Sequence, residues 1–450
     1  MDDFEEGPNI QLVTGVAQVF EPPMKLAPAR HEDDLDEDIQ EQEEDWLMQS
    51  SDVCVAFTHF NSYRGSSSIV FYVLSQSGDV WRRHDIPLFT LPPIGTIVTP
   101  EMMPDIRPTT SIRIFRVNGV NYAAVSFVQT AVVEVYNIDV ADVSQGPVAR
   151  IATGNDQDEG DSISCMDVKV FGDHAVLAVG TEGASIKVFT IGAGLAAEPN
   201  PAYCPTRLPG VSSIAMFEQG GSVRVVAGAA HSAHSGRALS FVYSPTTHAI
   251  DGTPLTFDGL GAVHDVSAAV VGPVAVPVAI HTAKSKAKGK KKDKKAGNPT
   301  VVSRLGGTQP SASSSTPAVH AGVTPSEVYP SFVRSSGKVT AAVINRDKAP
   351  AFVQIYNGDA PAAKHELNEE VGHVLDCSLV AIGQGIALVM GDDRGKVCLL
   401  DIGQLEGAGV ERTNLRLAET VIRIDDEGEE PDDFDMSDSD DSDDSDDQDM

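Results

Sequence analysis

At 450 residues, 41% of them hydrophobic, the chain has enough apolar material for one large all-β domain or for two or three ordinary ones. Its formal charge of −32 is unevenly placed: residues 1–50 hold 15 Asp and Glu against 2 Lys and Arg, residues 425–450 hold 16 against none, and the 374 residues between carry a net of −3. The first residues are acidic rather than basic and apolar, which argues against a signal peptide, and the longest apolar stretch, 266–280, is too short and too broken by Gly272, Pro273 and Pro277 to span a membrane.

In chain order, residues 10–20 (IQLVTGVAQVF) have strand character. They are followed by the charge run of residues 30–45 (RHEDDLDEDIQEQEED), which cannot bury enough apolar surface to offset ordering entropy and is expected to be disordered. Residues 1–49 therefore read as one strand plus an acidic arm. From there to residue 424 the chain repeats. TAVVEVYNI (130–138), GASIKVFTI (183–191), ALSFVYS (238–244), AFVQIYN (351–357) and KVCLLDI (396–402) fit one frame. A single point of that frame is occupied by Tyr136, Phe189, Val242, Tyr356 and Leu400, at separations of 53, 53, 114 and 44. SGDVWRRHDI (77–86) supplies a poorer upstream copy, with His84 lying 52 residues before Tyr136. If the gap of 114 is two periods, the 316 residues from His84 to Leu400 make six steps of about 53 and hence seven units.

Each unit has the same interior. An opening strand (162–170, 212–218, 374–382) reaches a glycine turn at Gly172, Gly220-Gly221 or Gly383, and a second apolar strand follows (174–180, 222–228, 385–391). A polar turn then leads into the framed strand, which makes a meander. The hidden fifth unit uses residues 263–281 for two strands, then an insertion, then residues 300–302. That insertion, residues 283–325, opens with eight lysines (Lys284, Lys286, Lys288, Lys290, Lys291, Lys292, Lys294 and Lys295) and continues rich in Ser, Pro, Thr and Gly, so it is expected to be largely disordered. Residues 425–450 form a second disordered segment, an Asp/Ser tract in which Ser437, Ser439, Ser442 and Ser445 are flanked by Asp and resemble substrates of acidophilic kinases.

GDDRGKVCLLDI (391–402) resembles the closing hairpin of a WD40 blade, with Leu400 and Asp401 at the places of its Trp-Asp dipeptide, and GTEGASIKVFTI (180–191) resembles the same element. The resemblance covers residues 50–424 and implies an all-β, seven-bladed β-propeller of divergent WD40 type. The chain has no Trp-Asp dipeptide, its Trp being Trp46 and Trp81, and its blades are not expected to carry the Gly-His pair of that family. The Asp–His–Ser/Thr–Trp network of well-formed blades is therefore not carried over, and blade packing is expected to rest on apolar burial alone. Propellers of this type commonly complete one blade with strands from both chain ends, so residues 10–20 are expected to pair beside the carboxy-terminal strands.

No catalytic motif stands out: there is no G-x-S-x-G elbow, no Walker A loop and no H-E-x-x-H. Gly383-Gln384-Gly385 lies between strands and reads as a hairpin turn rather than a phosphate loop. His231 and His234 with Cys204 are a weak metal constellation, for which a plain surface turn is the better account. The five cysteines, Cys54, Cys165, Cys204, Cys377 and Cys398, are odd in number and scattered, which fits reduced thiols. No catalytic residue, metal site or cofactor is expected. The expected role is a non-catalytic protein–protein interaction scaffold, a subunit or assembly factor of a nuclear or nucleolar complex such as those of ribosome biogenesis. The lysine run would serve nuclear import or phosphate contact, the acidic ends would hold basic protein clients, and nucleic acid would be touched only weakly and electrostatically. The alternative is a structural propeller subunit of a cytoplasmic coat, transport or nuclear-pore complex.

Overall fold

The structure is a computed structural model that describes residues 10–19, 53–62, 66–74, 80–88, 107–139, 146–154, 159–192, 194–197, 201–232, 235–271, 274–282, 300–305, 319–320, 326, 328–358, 360–382, 385–404 and 418–424. Among these residues the chain forms seven four-stranded antiparallel sheets and one 3-10 turn (Glu159–Asp161). The first sheet is β1 (Gln11–Val19), β2 (Val53–Asn61), β3 (Ser66–Leu74) and β4 (Val80–Pro87). The second is β5 (Thr109–Val117), β6 (Val120–Phe127), β7 (Val132–Asn137) and β8 (Ala149–Ala152). The third is β9 (Ile163–Phe171), β10 (His174–Thr181), β11 (Ile186–Ile191) and β12 (Ala202–Tyr203). The fourth is β13 (Val211–Gln219), β14 (Ser222–Ser232), β15 (Ser235–Ser244) and β16 (Ala249–Leu260). The fifth is β17 (Val263–Val271), β18 (Val274–Thr282), β19 (Thr300–Arg304) and β20 (Val319–His320). The sixth is β21 (Phe332–Ser336), β22 (Val339–Ile344), β23 (Phe352–Asn357) and β24 (Ala360–Glu366). The seventh is β25 (Val374–Ile382), β26 (Gly385–Asp392), β27 (Lys396–Gln404) and β28 (Ala418–Arg423).

The sheets pack side by side around an axis as seven blades, their first strands innermost: β1 touches both β25 and β5, and β9, β13, β17 and β21 continue the ring. The second strands are the most apolar because both their faces lie inside the ring. β10 (HAVLAVGT) is buried at every position after His174, and β22 (VTAAVI) at all of its positions. Such strands read as continuous Val/Ala/Ile runs rather than as alternating ones. Turn chemistry sets the hairpins. Asn118 and Gly119, with φ of 53° and 82°, and Gly220 and Gly221, with 59° and 78°, give the left-handed backbone that a two-residue hairpin of strand-like twist requires.

The strand pairings realign the repeat. Apart from the fifth blade, where the bulge falls opposite Ile280, five blades resume the pairing of their first strand after a bulge opposite Thr58, Ser126, Gly180, Gly228 or Gly391. Three residues before each of these, and at Thr340 of the sixth blade, the second strand faces Tyr72, Tyr136, Phe189, Phe241, Tyr356 or Leu400 on the third. All six are at most 4% exposed, so an aromatic or leucine fills one structural position blade after blade. Two members of the sequence frame are corrected. His84 lies on the fourth strand of its blade, opposite Phe71, because the Ser-rich start of β3 hides the true third strand. Val242 gives way to Phe241, since the period-two alternation of β15 buries Phe241 and Tyr243 and turns Val242 away. The hidden fifth blade uses β17, β18 and β19 as its pattern indicates.

Ring closure also differs from expectation. β1 runs antiparallel to β2, from Gln11 opposite Asn61 to Val19 opposite Cys54, and does not join the carboxy-terminal sheet. The seventh blade fills its four places with the contiguous strands β25–β28, whereas the first blade lacks an inner strand until β1 supplies it. The seam between blades one and seven is closed by packing and by the Val16 N–H, which donates to Asp376 Oδ2 at 3.1 Å.

Candidate functional site

Each first strand pairs along one edge only, and its other edge faces the central channel with backbone groups that need partners. The sequence meets this with charged and hydroxyl side chains at a few inner-strand positions. Asp167 Oδ2 accepts the Met216 N–H of β13 in the next blade at 2.7 Å, and its Oδ1 accepts the Val168 N–H at 3.0 Å. Asp265 accepts the Val333 N–H at 2.8 Å, and Asp376 accepts its own neighbour Cys377 N–H at 2.8 Å besides Val16 across the seam. Ser213 donates to Asp265 and accepts the Val266 N–H at 3.1 Å.

Two arginines tie these carboxylates together across the axis. Arg113 Nε lies 3.2 Å from Asp167 Oδ1 and its Nη1 lies 3.9 Å from Asp376 Oδ2. Arg334 Nη2 donates to Asp376 Oδ1 at 2.7 Å, its Nη1 pairs with Asp265, and its Nε donates to the Cys377 carbonyl at 2.7 Å. Arg113, Asp167 and Arg334 stand at matching points of their strands, opposite Ala124, Ala178 and Ala341, whose small side chains leave room on the neighbouring strand. Burial works against the Arg334 cation, but Asp265 and Asp376 overcome it and push its pKa up. Burial pushes the Asp167 carboxyl up, opposed by Arg113 and by the Met216 and Val168 N–H groups. Three carboxylates and two guanidiniums thus form one linked plug in the channel. This corrects the expectation that the blades pack by apolar burial alone.

The seventh blade corrects it a second time, because Gly372-His373 is a Gly-His pair. His373 Nδ1 lies 2.9 Å from Asp393 Oδ2, and the His373 N–H donates to Asp393 Oδ1 at 2.8 Å. Asp392 accepts N–H groups from Gly372, Arg394 and Lys396 at 2.7–2.9 Å, which pins the β26–β27 turn to the segment entering β25. Tyr329 stacks on His373 with ring centroids 3.9 Å apart. This blade therefore keeps a His–Asp network of the kind the resemblance describes, with Leu400 in place of Trp.

The lysines from Lys284 to Lys295 and the serines Ser437, Ser439, Ser442 and Ser445 lie outside the described residues, as does His234. Cys204 is buried against the apolar layer of blades three and four, and His231 is on β14. Gly385 opens β26 opposite Ile382, as a hairpin requires. All five cysteines are free thiols, and burial pushes the Cys165 thiol up to about 12. Among the described residues no group of three or more His, Cys, Asp or Glu is placed to hold a metal ion, and no helix is long and apolar enough to cross a membrane.

The ends of the described strands also place the segments outside them. β18 ends at Thr282 and β19 begins at Thr300, on the rim where β1 begins and where β28 ends beside the β26–β27 turn, the Ile424 N–H reaching the Gly395 carbonyl at 3.4 Å. The lysine segment and the acidic tail therefore attach at the same rim. A cleft of about 690 Å³ lies on the outer side, between the edge strand β8 and the third blade, lined by Ile151, Leu195, Ala197, Pro201 and Tyr203.

Seven antiparallel four-stranded blades, each meandering outward from a common channel, make the chain a seven-bladed β-propeller. No family model and no curated protein matches it. Among solved structures it is similar to Hsv2 of Kluyvelomyces marxianus, at 12% identity and a TM-score of 0.40 with 77% of this chain and 88% of that chain covered. It is also similar to Sqt1 of Saccharomyces cerevisiae, at 11% identity and a TM-score of 0.45 with 87% of this chain and 83% of that chain covered.

Proposed function

We propose that the chain is a non-catalytic platform for protein–protein contacts, a subunit or assembly factor of a nuclear or nucleolar complex, with ribosome biogenesis as its setting. The observation that carries this reading is the shared rim. The lysine segment joins at Thr282 and Thr300, and the tail with its 16 acidic residues joins after Ile424 on the same side. A partner held there meets both signs of charge at once. The lysines serve as a nuclear-import signal and the acidic tail shields a basic client, its strength raised by phosphorylation of Ser437, Ser439, Ser442 and Ser445. The channel charges support the same reading because they are engaged with one another and with backbone groups. The outer cleft beside Tyr203, which is 60% exposed, supplies a second contact for a partner peptide.

The test is to image the tagged full-length protein with and without residues 284–295, and to identify proteins recovered with the intact chain and with one ending at residue 424. Nuclear signal lost with the lysines, and basic proteins lost with the tail, are the expected results. A cytoplasmic intact protein overturns the nuclear assignment in favour of a coat, transport or pore subunit. Equal recovery of basic proteins by both chains overturns the shielding role.

A further inference from the structure

The ring contains one joint unlike the rest. In six blades the first strand is joined to the second through two residues: 118–119, 172–173, 220–221, 272–273, 337–338 and 383–384. In the first blade β1 and β2 are joined through the 33 residues 20–52. A connection of that length costs more chain entropy to close than a two-residue turn. By the three-halves power of length, the local concentration of β1 at its place is roughly sixty-fold lower than it would be in a hairpin.

β1 is nevertheless received by a well-defined slot. Its hydrogen-bonded edge lies on β2, and its other edge meets Asp376 through the Val16 N–H. Its apolar contribution is small, with Val13, Val16 and Ala17 the buried hydrophobic side chains among its described residues. The walls are shaped to those residues. Val13 lies against Gly391, where any Cβ would overlap it, and a Cβ on Gly15 would come within 2.6 Å of Ile112 and 2.7 Å of Thr58. Thr14, Thr58 and Thr109 join their hydroxyls across blades one and two, with Thr109 donating to Thr58 at 2.7 Å. At the rim the Ser62 N–H donates to the Ile10 carbonyl at 2.9 Å and the Ile10 N–H to Ser62 Oγ at 2.7 Å.

We propose that the slot between β25 and β5, edged by β2, is a strand-receptor site that residues 10–19 occupy reversibly, and that it accepts the same strand from a second copy of this chain. The ligand chemistry is an extended peptide with Val at the place of Val13, no side chain at the place of Gly15 and small apolar residues at the places of Val16 and Ala17. The weak tether makes departure possible, and the glycine-lined walls make the return selective.

The test starts from the full chain carrying one site for a sequence-specific protease within residues 25–45, cleaved after folding. A fluorescent peptide of residues 8–20 is then added in excess. The expected result is that the amino-terminal fragment co-elutes with the ring before addition and is replaced by the labelled peptide afterwards, with a rise in anisotropy. A peptide with Gly15→Val should bind at least ten-fold more weakly. In a Val19→Cys version, joined to the facing Cys54 and verified by mass, exchange should wait for reductant. Retention of the original fragment without exchange over days in the unlocked protein overturns the proposal. So does loss of the fragment on cleavage with no rebinding of peptide, and so does equal binding of the Gly15→Val peptide.

Discussion

Arg334 is the residue on which the channel network depends most. It satisfies Asp265 and Asp376 together, and its guanidinium is 19% exposed against 6% and 10% for the two carboxylates. Arg334→Met leaves two largely buried carboxylates without their cation, and breaking a buried pair from one side costs about 3–5 kcal/mol. Urea unfolding should show a loss of that order. The control is Arg237→Met, which breaks the exposed pair with Asp258 at 44% and 67% exposure and should cost less than about 1 kcal/mol. None of this network was legible in the sequence. Arg113 and Asp376 are far apart in the chain, and each sits in an ordinary-looking strand, IRIF or LDCS. A charge within such a strand reads as a solvent-facing position until ring closure brings seven inner edges together. The Gly-His pair was in plain view at Gly372-His373, but its role needed the turn that brings Asp393 beside it.

Strands were legible in proportion to their burial. Second strands such as β10 and β26 are covered on both faces, so their apolar runs and flanking glycines announce them. Three of the fourth strands did not show. β8 has four residues and β12 and β20 two each, and edge strands this short carry no periodicity. Pairing of β1 was misplaced because its own composition suits either end of the ring, and the choice lies in which blade lacks an inner strand. The fit of that strand gives a test by compensation. Gly391→Ala forces a methyl into Val13, and overpacking of this kind costs about 1–3 kcal/mol. Adding Val13→Ala should return part of the loss, so that the double variant melts above the Gly391→Ala single variant. Melting temperatures that simply add would show that the two residues do not meet.

For the whole molecule, acid should weaken the ring through its fifth blade. His264 Nε2 is buried without a hydrogen-bond partner, and burial, reinforced by His281, pushes its pKa down to about 4. Because the folded value lies below the ordinary 6.5, the stability held by the neutral ring is complete above about pH 6.5 and is lost as pH falls towards 4. At the lower end the loss amounts to up to about 3 kcal/mol. Urea midpoints at pH 7 and pH 4.5 should differ less in His264→Asn than in the natural chain. An unchanged difference would assign the acid sensitivity elsewhere. The long connection before β2 also bears on the order in which the molecule is made. Residues 11–19 leave the ribosome well before β26, which carries the glycine that Val13 packs against and ends at Asp392, 373 residues after Val19. At roughly 5–20 residues per second, one side of that strand stays uncovered for about 20–75 s. The segment that follows it, residues 20–52, carries 12 acidic and 2 basic residues. Like charge beside an unpaired strand keeps nascent copies from pairing with one another. The acidic arm therefore has work to do before the propeller exists, as the escort of a strand that waits for its last wall.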